Sequence, residues 1–218
     1  MARPRNEELF RNIRQTAFRQ LVTYGYTDTT YQSIATACDV TRTAVQNYYA
    51  SKPELALDFF GDLLTAIGTV VRAEGLHKEN EFDTMFCIGQ SFFSFLMRDA
   101  ETRKLLTDTV GSREITSEVL AFEYKWGSAF LKTPLSVPEE KFRDDVIASM
   151  GGFYELLYSA LKDDRPFDLS THLGRVVRSI MHDHGWSYED AKAFIAAHHI
   201  TESERKLVLV KVSETMDL

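Results

Sequence analysis

Apolar residues recur at spacings of three and four along almost the whole chain, the pattern of helices that each bury one face. Leu9, Ile13, Ala17, Phe18 and Leu21 mark a first helix from about Asn6 to Tyr24, which Gly25 ends as a C-cap. In Thr29-Thr30-Tyr31-Gln32 a hydroxyl residue stands three positions before a glutamine, so a capping box is expected to open a short helix there. Ile34, Ala35 and Cys38 give it an inner face, Asp39 occupies the break, and Val40 returns to the core. Thr41 can then cap a second short helix running through Gln46 to Tyr49. Ser51-x-x-Glu54 is a further capping box, and Leu55, Phe59, Leu63, Ile67 and Val70 extend the helix it opens to about Glu74. At 1.5 Å per residue that helix is about 35 Å long, enough to connect the short helices to whatever follows.

Gly75 and the polar run His77 to Glu81 predict a break. Beyond it helices are expected over Phe82 to Met97, Ala100 to Val110, Arg113 to Leu131, Pro138 to Leu161, Phe167 to His182 and Tyr188 to His198. Pro134 and Pro138 bracket one loop, Asp163 to Pro166 form another, and His184-Gly185-Trp186-Ser187 a third. Lys206 to Val212 reads as a short strand by its β-branched content or as the end of a helix; helix or a frayed tail is favoured, because a lone strand has no partner in an all-α body. The fold class is therefore all-α. A three-helix domain over residues 1–56, with a helix-turn-helix at about 30–49, precedes a larger helical domain over 57–218.

Two short helices joined by a tight turn are the layout of a helix-turn-helix, which places its second helix in the major groove of DNA. The segment resembles the DNA-binding domain of the tetracycline-repressor (TetR) family. The positions that carry the likeness are Gly25-Tyr26, Thr29-Thr30, Ile34-Ala35, Val40, Tyr48-Tyr49, Ser51-Lys52 and Leu55, all in register over about residues 8–56. Three positions depart from the family: Asp39 stands where Gly is usual, Gln46 where a tyrosine is usual, and Tyr49 where Phe is more common. Aspartate tolerates the left-handed conformation better than most residues, so the turn is expected to survive. The hydroxyl of Tyr49 needs a partner.

Within the second short helix Thr41, Arg42, Thr43, Gln46 and Asn47 are expected to face DNA, with Val40, Ala44, Val45 and Tyr49 facing the core. Arginine pairs bidentately with guanine and Gln or Asn with adenine, and a good pair contributes about 1 to 3 kcal/mol of discrimination. Arg42 could equally touch only phosphate. Tyr48 and Lys52 are assigned to phosphate, Lys52 because it sits at a helix start, and Thr30 is placed with them. Arg3 and Arg5 precede the first helix and either enter the minor groove or belong to a disordered terminus.

Composition then narrows the class. The 218 residues are 44% hydrophobic and 26% charged, an ordinary globular balance. No stretch approaches the roughly 20 apolar residues of a membrane span, and MARPRN lacks the apolar region of a signal peptide, so a cytoplasmic protein is expected. Cys38 and Cys87 fall within apolar helical patterns and read as two buried reduced thiols. The net charge of −7 divides unevenly: residues 1–56 carry seven basic against five acidic side chains, and the remainder eighteen against twenty-seven. An acidic body favours contact with DNA through the N-terminal face alone.

In the family, the helical body binds a small effector that shifts the protein between DNA-competent and incompetent forms, and its last two helices form a four-helix bundle across a dimer axis. Phe86, Gln90, Phe93, Trp126, Phe130 and Tyr154 are the candidates here for an effector pocket, with plain core packing as the other reading. Val146, Met150, Phe153, Leu157 and Leu161 make one apolar face, and Leu173, Val176, Val177, Ile180 and Met181 another. Those faces are either a dimer interface or internal. His182-x-His184 and His198-His199 read as solvated histidines at helix ends rather than metal ligands, since residues two apart do not share a helix face. No metal or cofactor is expected. The resemblance implies a dimeric, effector-responsive regulator, a repressor reading a palindromic operator in double-stranded DNA, and not an enzyme. Two other readings remain: a helical metal or small-molecule enzyme with an incidental helix-turn-helix, and a helix-turn-helix that contacts only protein.

Overall fold

The computed structural model describes residues 6–218, and among these the chain is all-helical. The helices are α1 (Glu7–Asp28), α2 (Tyr31–Ala37), α3 (Arg42–Gln46), α4 (Lys52–Ala73), α5 (Glu81–Leu96), α6 (Ala100–Val110), α7 (Arg113–Phe130), α8 (Glu139–Lys162), α9 (Leu169–Asp183), α10 (Tyr188–Ala197) and α11 (Glu202–Met216). Side chains at N-caps start most of them. The Asn6 carboxamide accepts from Leu9 N, Asn80 from Phe82 N and Asp83 N, Asp99 from Thr102 N, and Asp168 from Thr171 N. Each accepts one or more of the backbone N–H groups that a helix start leaves unpaired.

Several of the ends are set by residues in the left-handed region. After α4, Gly75 has φ +65 while its N–H bonds Arg72 O and the next N–H, of Leu76, reaches back to Val71 O. That pair of bonds is the Schellman closure. The same closure ends α8, with Asp164 at φ +48 and Arg165 N on Ala160 O, and α9, with Gly185 at φ +90 and Trp186 N on Met181 O. Within α1 the helix is broken at Gly25 (φ 82, ψ 175), a conformation that essentially only glycine adopts. A Cβ there would also lie 2.8 Å from Asp108 Oδ2 on α6.

Helix α4 runs through positions 56 and 57 without interruption and carries Phe59 and Leu63, both 0% exposed, at its centre. Aromatic contacts step outward from it in both directions. Phe18 of α1 meets Phe59 at 5.3 Å between centroids, and Phe60 meets Phe92 of α5 at 5.9 Å. Phe92 meets Phe93 at 5.2 Å, and Phe93 meets Phe153 of α8 at 4.8 Å. The three N-terminal helices and the body thus share one continuous apolar core. A second tie runs from α6 to the end of α1, where Thr27 N donates to Asp108 Oδ2 at 2.8 Å and Lys104 Nζ pairs with Asp28 at 3.0 Å.

Lys206 to Val212 belong to α11, so the helical alternative holds and the strand does not. Thr201 and Glu204 cap it reciprocally, and Val208 and Val212, four apart and 0% exposed, lie against α4 and α5. Lys211 Nζ pairs with Glu74 at 2.7 Å, holding the C-terminal helix to the end of α4. Cys87 is buried, and that burial pushes its thiol up to about 12; Cys38 is only half-buried, a correction to the pair of buried thiols expected.

Candidate nucleic-acid interface and body cavity

Helix α2 starts one residue later than the spacing predicts. Thr30, not Thr29, is its N-cap, and the reciprocal partner is Ser33 rather than Gln32. Thr29 is 1% exposed and its hydroxyl donates to Gly25 O at 2.8 Å, closing the break in α1 instead. At the other end Asp39 takes φ +53, its N–H bonds Thr36 O, and Val40 N bonds Ala35 O at 3.0 Å. The turn is therefore a Schellman closure with aspartate in the left-handed position, where a small polar residue is tolerated. Thr41 caps α3 by accepting from Ala44 N at 3.2 Å. Ser51 accepts from Glu54 N, but the Glu54 carboxylate accepts from Ala50 N rather than Ser51 N, so only half of that capping box forms.

Helix α3 ends at Gln46 with Asn47 as its C-cap, three residues before the expected Tyr49. The two tyrosines leave the helix because each is held elsewhere. The Tyr48 ring stacks on Phe10 at 5.3 Å and its hydroxyl donates to Asn6 O at 3.2 Å. Tyr49 is 4% exposed, its carbonyl accepts from the Tyr31 hydroxyl, and its own hydroxyl donates to Asp58 Oδ2 at 2.6 Å. Asp58 also receives Arg14 through Nε at 2.8 Å and Nη2 at 3.0 Å, while Arg14 Nη2 reaches Asp62 at 2.6 Å. This network joins α1, the end of α3 and α4, and it supplies the partner that the Tyr49 hydroxyl requires. Asp58 and Asp62, one helical turn apart on α4 opposite a basic position of α1, are the sequence signal for it. Tyr49→Phe removes a hydrogen bond to a half-buried carboxylate and is expected to lower unfolding free energy by about 1 to 2 kcal/mol in urea titrations.

The predicted division of α3 agrees with the exposure of its residues. Thr41, Arg42, Thr43, Gln46 and Asn47 are exposed, Val45 and Tyr49 are buried, and Val40 and Ala44 are partly buried. Among the described residues, the side chains of Arg42, Thr43, Gln46 and Asn47 make no hydrogen bond or ion pair within the chain, while Thr41 is occupied as a cap. The residues assigned to phosphate are more committed. Thr30 is exposed but caps α2. Lys52 Nζ donates to Thr27 O at 3.0 Å and lies 4.5 Å from the Tyr26 ring, and desolvation there lowers its pKa. Lys52 and Tyr48 thus brace the rim of the motif in this structure. Arg3 and Arg5 lie outside the described residues.

In the body a cavity of about 90 Å³ lies among α4, α5, α7, α8 and α9. Of the predicted pocket residues, Phe93 and Trp126 line it, Phe130 stacks on Trp126 at 5.1 Å, and Tyr154 stands behind it with its hydroxyl on Glu123. Phe86 and Gln90 do not line it. Phe86 is 0% exposed and faces His199, at 5.6 Å, and Gly174. Gln90 turns to a separate polar hollow, where its Oε1 accepts from the Ser170 hydroxyl at 3.0 Å. Sequence reasoning missed Glu123, among the described residues the single charged one on this cavity wall. Its signal was an acid in the aromatic run Phe122 to Trp126.

The apolar faces of α8 and α9 are covered within one chain. Met150, Phe153, Leu157, Val177 and Met181 are each at most 7% exposed, so these five are core residues and not a free interface. Leu161 and Ile180 are half-buried. The open side of α8 instead carries Ile147 and Leu156, 44% and 47% exposed, flanking Gly151 and Gly152, whose Cβ positions face open space. Of the four histidines, His182 and His199 are exposed as expected, whereas His184 and His198 differ from the solvated reading. His184 packs against Phe82 and Phe142 with Nδ1 on Thr133 O, and His198 stacks on Phe194 at 3.9 Å with Nε2 on Glu79 at 2.7 Å.

Among the described residues no group of three or more His, Cys, Asp or Glu side chains is placed to hold a metal ion, and no helix is long and apolar enough to cross a membrane. Comparison with family models, curated proteins and solved structures returned no match.

Proposed function

We propose that this chain is a sequence-specific DNA-binding transcriptional regulator of the TetR type, acting as an effector-responsive dimeric repressor on a palindromic operator. The observation that carries the reading is the row Thr41, Arg42, Thr43, Gln46 and Asn47. These polar side chains are exposed on a short helix that Val45 and Tyr49 anchor, at the one end of the chain whose charge is positive. A helix N-terminus presented this way suits the major groove.

The effector part of the reading is supported by the cavity and by what connects it to α3. Leu64 of α4 forms part of the cavity wall, and α4 continues to Ser51, five residues beyond Gln46. The Asp108 and Lys104 contacts tie α6 to the end of α1 in parallel. A change in cavity volume therefore tilts the α3 heads through packed helices, and half-sites separated by about 34 to 36 Å tolerate little change in head spacing.

Dimer formation is assigned to the open side of α8 rather than to the buried apolar faces of α8 and α9. Replacing Ile147 and Leu156 together by Asp is expected to yield a folded monomer by sedimentation velocity. A dimer of wild-type affinity would move the interface elsewhere.

The function itself is tested by mobility shift on DNA flanking the gene, using fragments that contain an inverted repeat. A salt-dependent shift that survives competitor DNA supports the reading. Failure to bind any such fragment, with the protein folded and dimeric, overturns it.

A further inference from the structure

Among the described residues Glu123 is the one ionisable side chain on a cavity wall that is otherwise apolar and aromatic. The residue as a whole is half-buried, yet its carboxyl group is enclosed: Oε1 accepts from the Tyr154 hydroxyl and Oε2 has no partner. The same cavity is lined by Leu64 of α4, Met85, Phe92 and Phe93 of α5 and Val176 of α9, and among the described residues Tyr154 of α8 is the one titratable group that acts on the carboxyl. Among the described residues no basic side chain lines the cavity. A buried acid with an orphaned oxygen is costly in either protonation state, since the ionised form lacks a donor and the neutral form lacks an acceptor.

We propose that the cavity binds a small lipophilic cation, a quaternary ammonium or a protonated amine, with its charge against Glu123 and its alkyl groups against Trp126, Phe92 and Phe93. Each wall contributes what such a ligand needs. The carboxylate neutralises the charge beside apolar walls, and aromatic faces attract a cation through their quadrupoles. An anion would meet the carboxylate with no counter-charge, and a neutral apolar ligand would leave Oε2 orphaned. The cavity of about 90 Å³ is smaller than the roughly 150 Å³ cavity that holds benzene. It therefore suits a compact trimethylammonium head, with the remainder of a ligand projecting past the half-buried Trp126 and Ile180.

Burial pushes the Glu123 carboxyl up to about 8, so the empty site is protonated at neutral pH and a bound cation must displace that proton. Affinity for a permanent cation then rises about tenfold per pH unit below 8 and levels off above it. The inference deepens the effector part of the proposed function and rests on it for its regulatory meaning, whereas binding can be measured without DNA.

The test is titration calorimetry of the full chain with phenyltrimethylammonium and with its neutral isostere tert-butylbenzene. The expected result is one cation bound per chain, at least tenfold tighter than the isostere. Proton release is expected near neutral pH, with affinity rising from pH 6 to 8. Glu123→Gln is expected to reduce cation affinity at least tenfold and abolish the pH dependence while leaving the isostere unaffected. Equal affinity for the two probes, preference for the isostere, or absence of binding to either overturns the assignment. The wild-type pH profile and isostere comparison stand even where the variant is unstable. A failed operator shift would remove the regulatory role and leave the calorimetric outcome as it is.

Discussion

Arg42→Ala is expected to abolish the shift of operator DNA at concentrations that saturate the wild type, with dimer mass and thermal unfolding unchanged. Arg42 is the first residue of α3 and exposed, and among the described residues its side chain makes no hydrogen bond or ion pair, so its truncation removes no such contact there. Alanine is also the better helix former, and Thr41 keeps the cap. All of the loss should therefore fall on DNA binding. One good arginine pair contributes about 1 to 3 kcal/mol, and a symmetric dimer doubles that to about 2 to 6 kcal/mol, roughly 30-fold to 10⁴-fold in affinity. The modest positive excess of residues 1–56 offers little nonspecific attraction to compensate. Arg42→Lys separates the two roles open to this residue. If Arg42 reads guanine, Lys keeps the charge but loses the planar fork, and discrimination between operator and variant sites falls. If it touches phosphate, Lys restores most of the affinity, and Ala weakens all sequences alike with a shallower salt dependence. An alanine variant that binds operator with wild-type affinity would refute the placement of α3 in the groove.

How far this could be read from the residues alone differs from element to element. Helix α4 was legible because its apolar positions keep register over several turns and its end carries a glycine in the left-handed position. The turn at Asp39 was legible from local chemistry, since the closure depends on one backbone angle. Thr29 against Thr30 was not: adjacent hydroxyls offer the same cap, and the choice was made by Gly25, whose carbonyl takes the Thr29 hydroxyl. Helix α11 was ambiguous because Leu-Val-Leu-Val alternates in type while burying only every fourth residue, Val208 and Val212. The capping pair Thr201 and Glu204 resolves it. The faces of α8 and α9 show a different limit. Periodicity identifies which side is apolar but not what covers it, and here α5, α6, α7, α10 and the two helices themselves do so within one chain. The exposed row on α3 follows from period and capping, whereas the cavity depends on which distant helices meet around Glu123.

That same carboxyl group makes Glu123→Gln the substitution with the largest expected effect on stability, and the effect depends on pH. Burial raises the Glu123 pKa from 4.5 to about 8, against the favourable but smaller hydrogen bond from Tyr154. Below pH 4.5 the acid is protonated in both folded and unfolded chains and costs nothing by ionisation. Between 4.5 and about 8 the unfolded chain has lost the proton while the folded chain retains it, so the folded state binds more protons and stability falls as pH rises. The slope is about 1.4 kcal/mol per pH unit, which sets a ceiling of about 5 kcal/mol across the window. Glutamine keeps an oxygen for the Tyr154 hydroxyl but cannot ionise. Its amide N–H groups are left without acceptors, at a cost of about 1 to 3 kcal/mol that does not vary with pH. The variant is accordingly expected to be equal to or less stable than wild type at pH 5 and more stable at pH 8.5. Urea unfolding at both values measures the difference, and parallel stability curves for the two proteins would show that Glu123 ionises in the folded chain as it does in water.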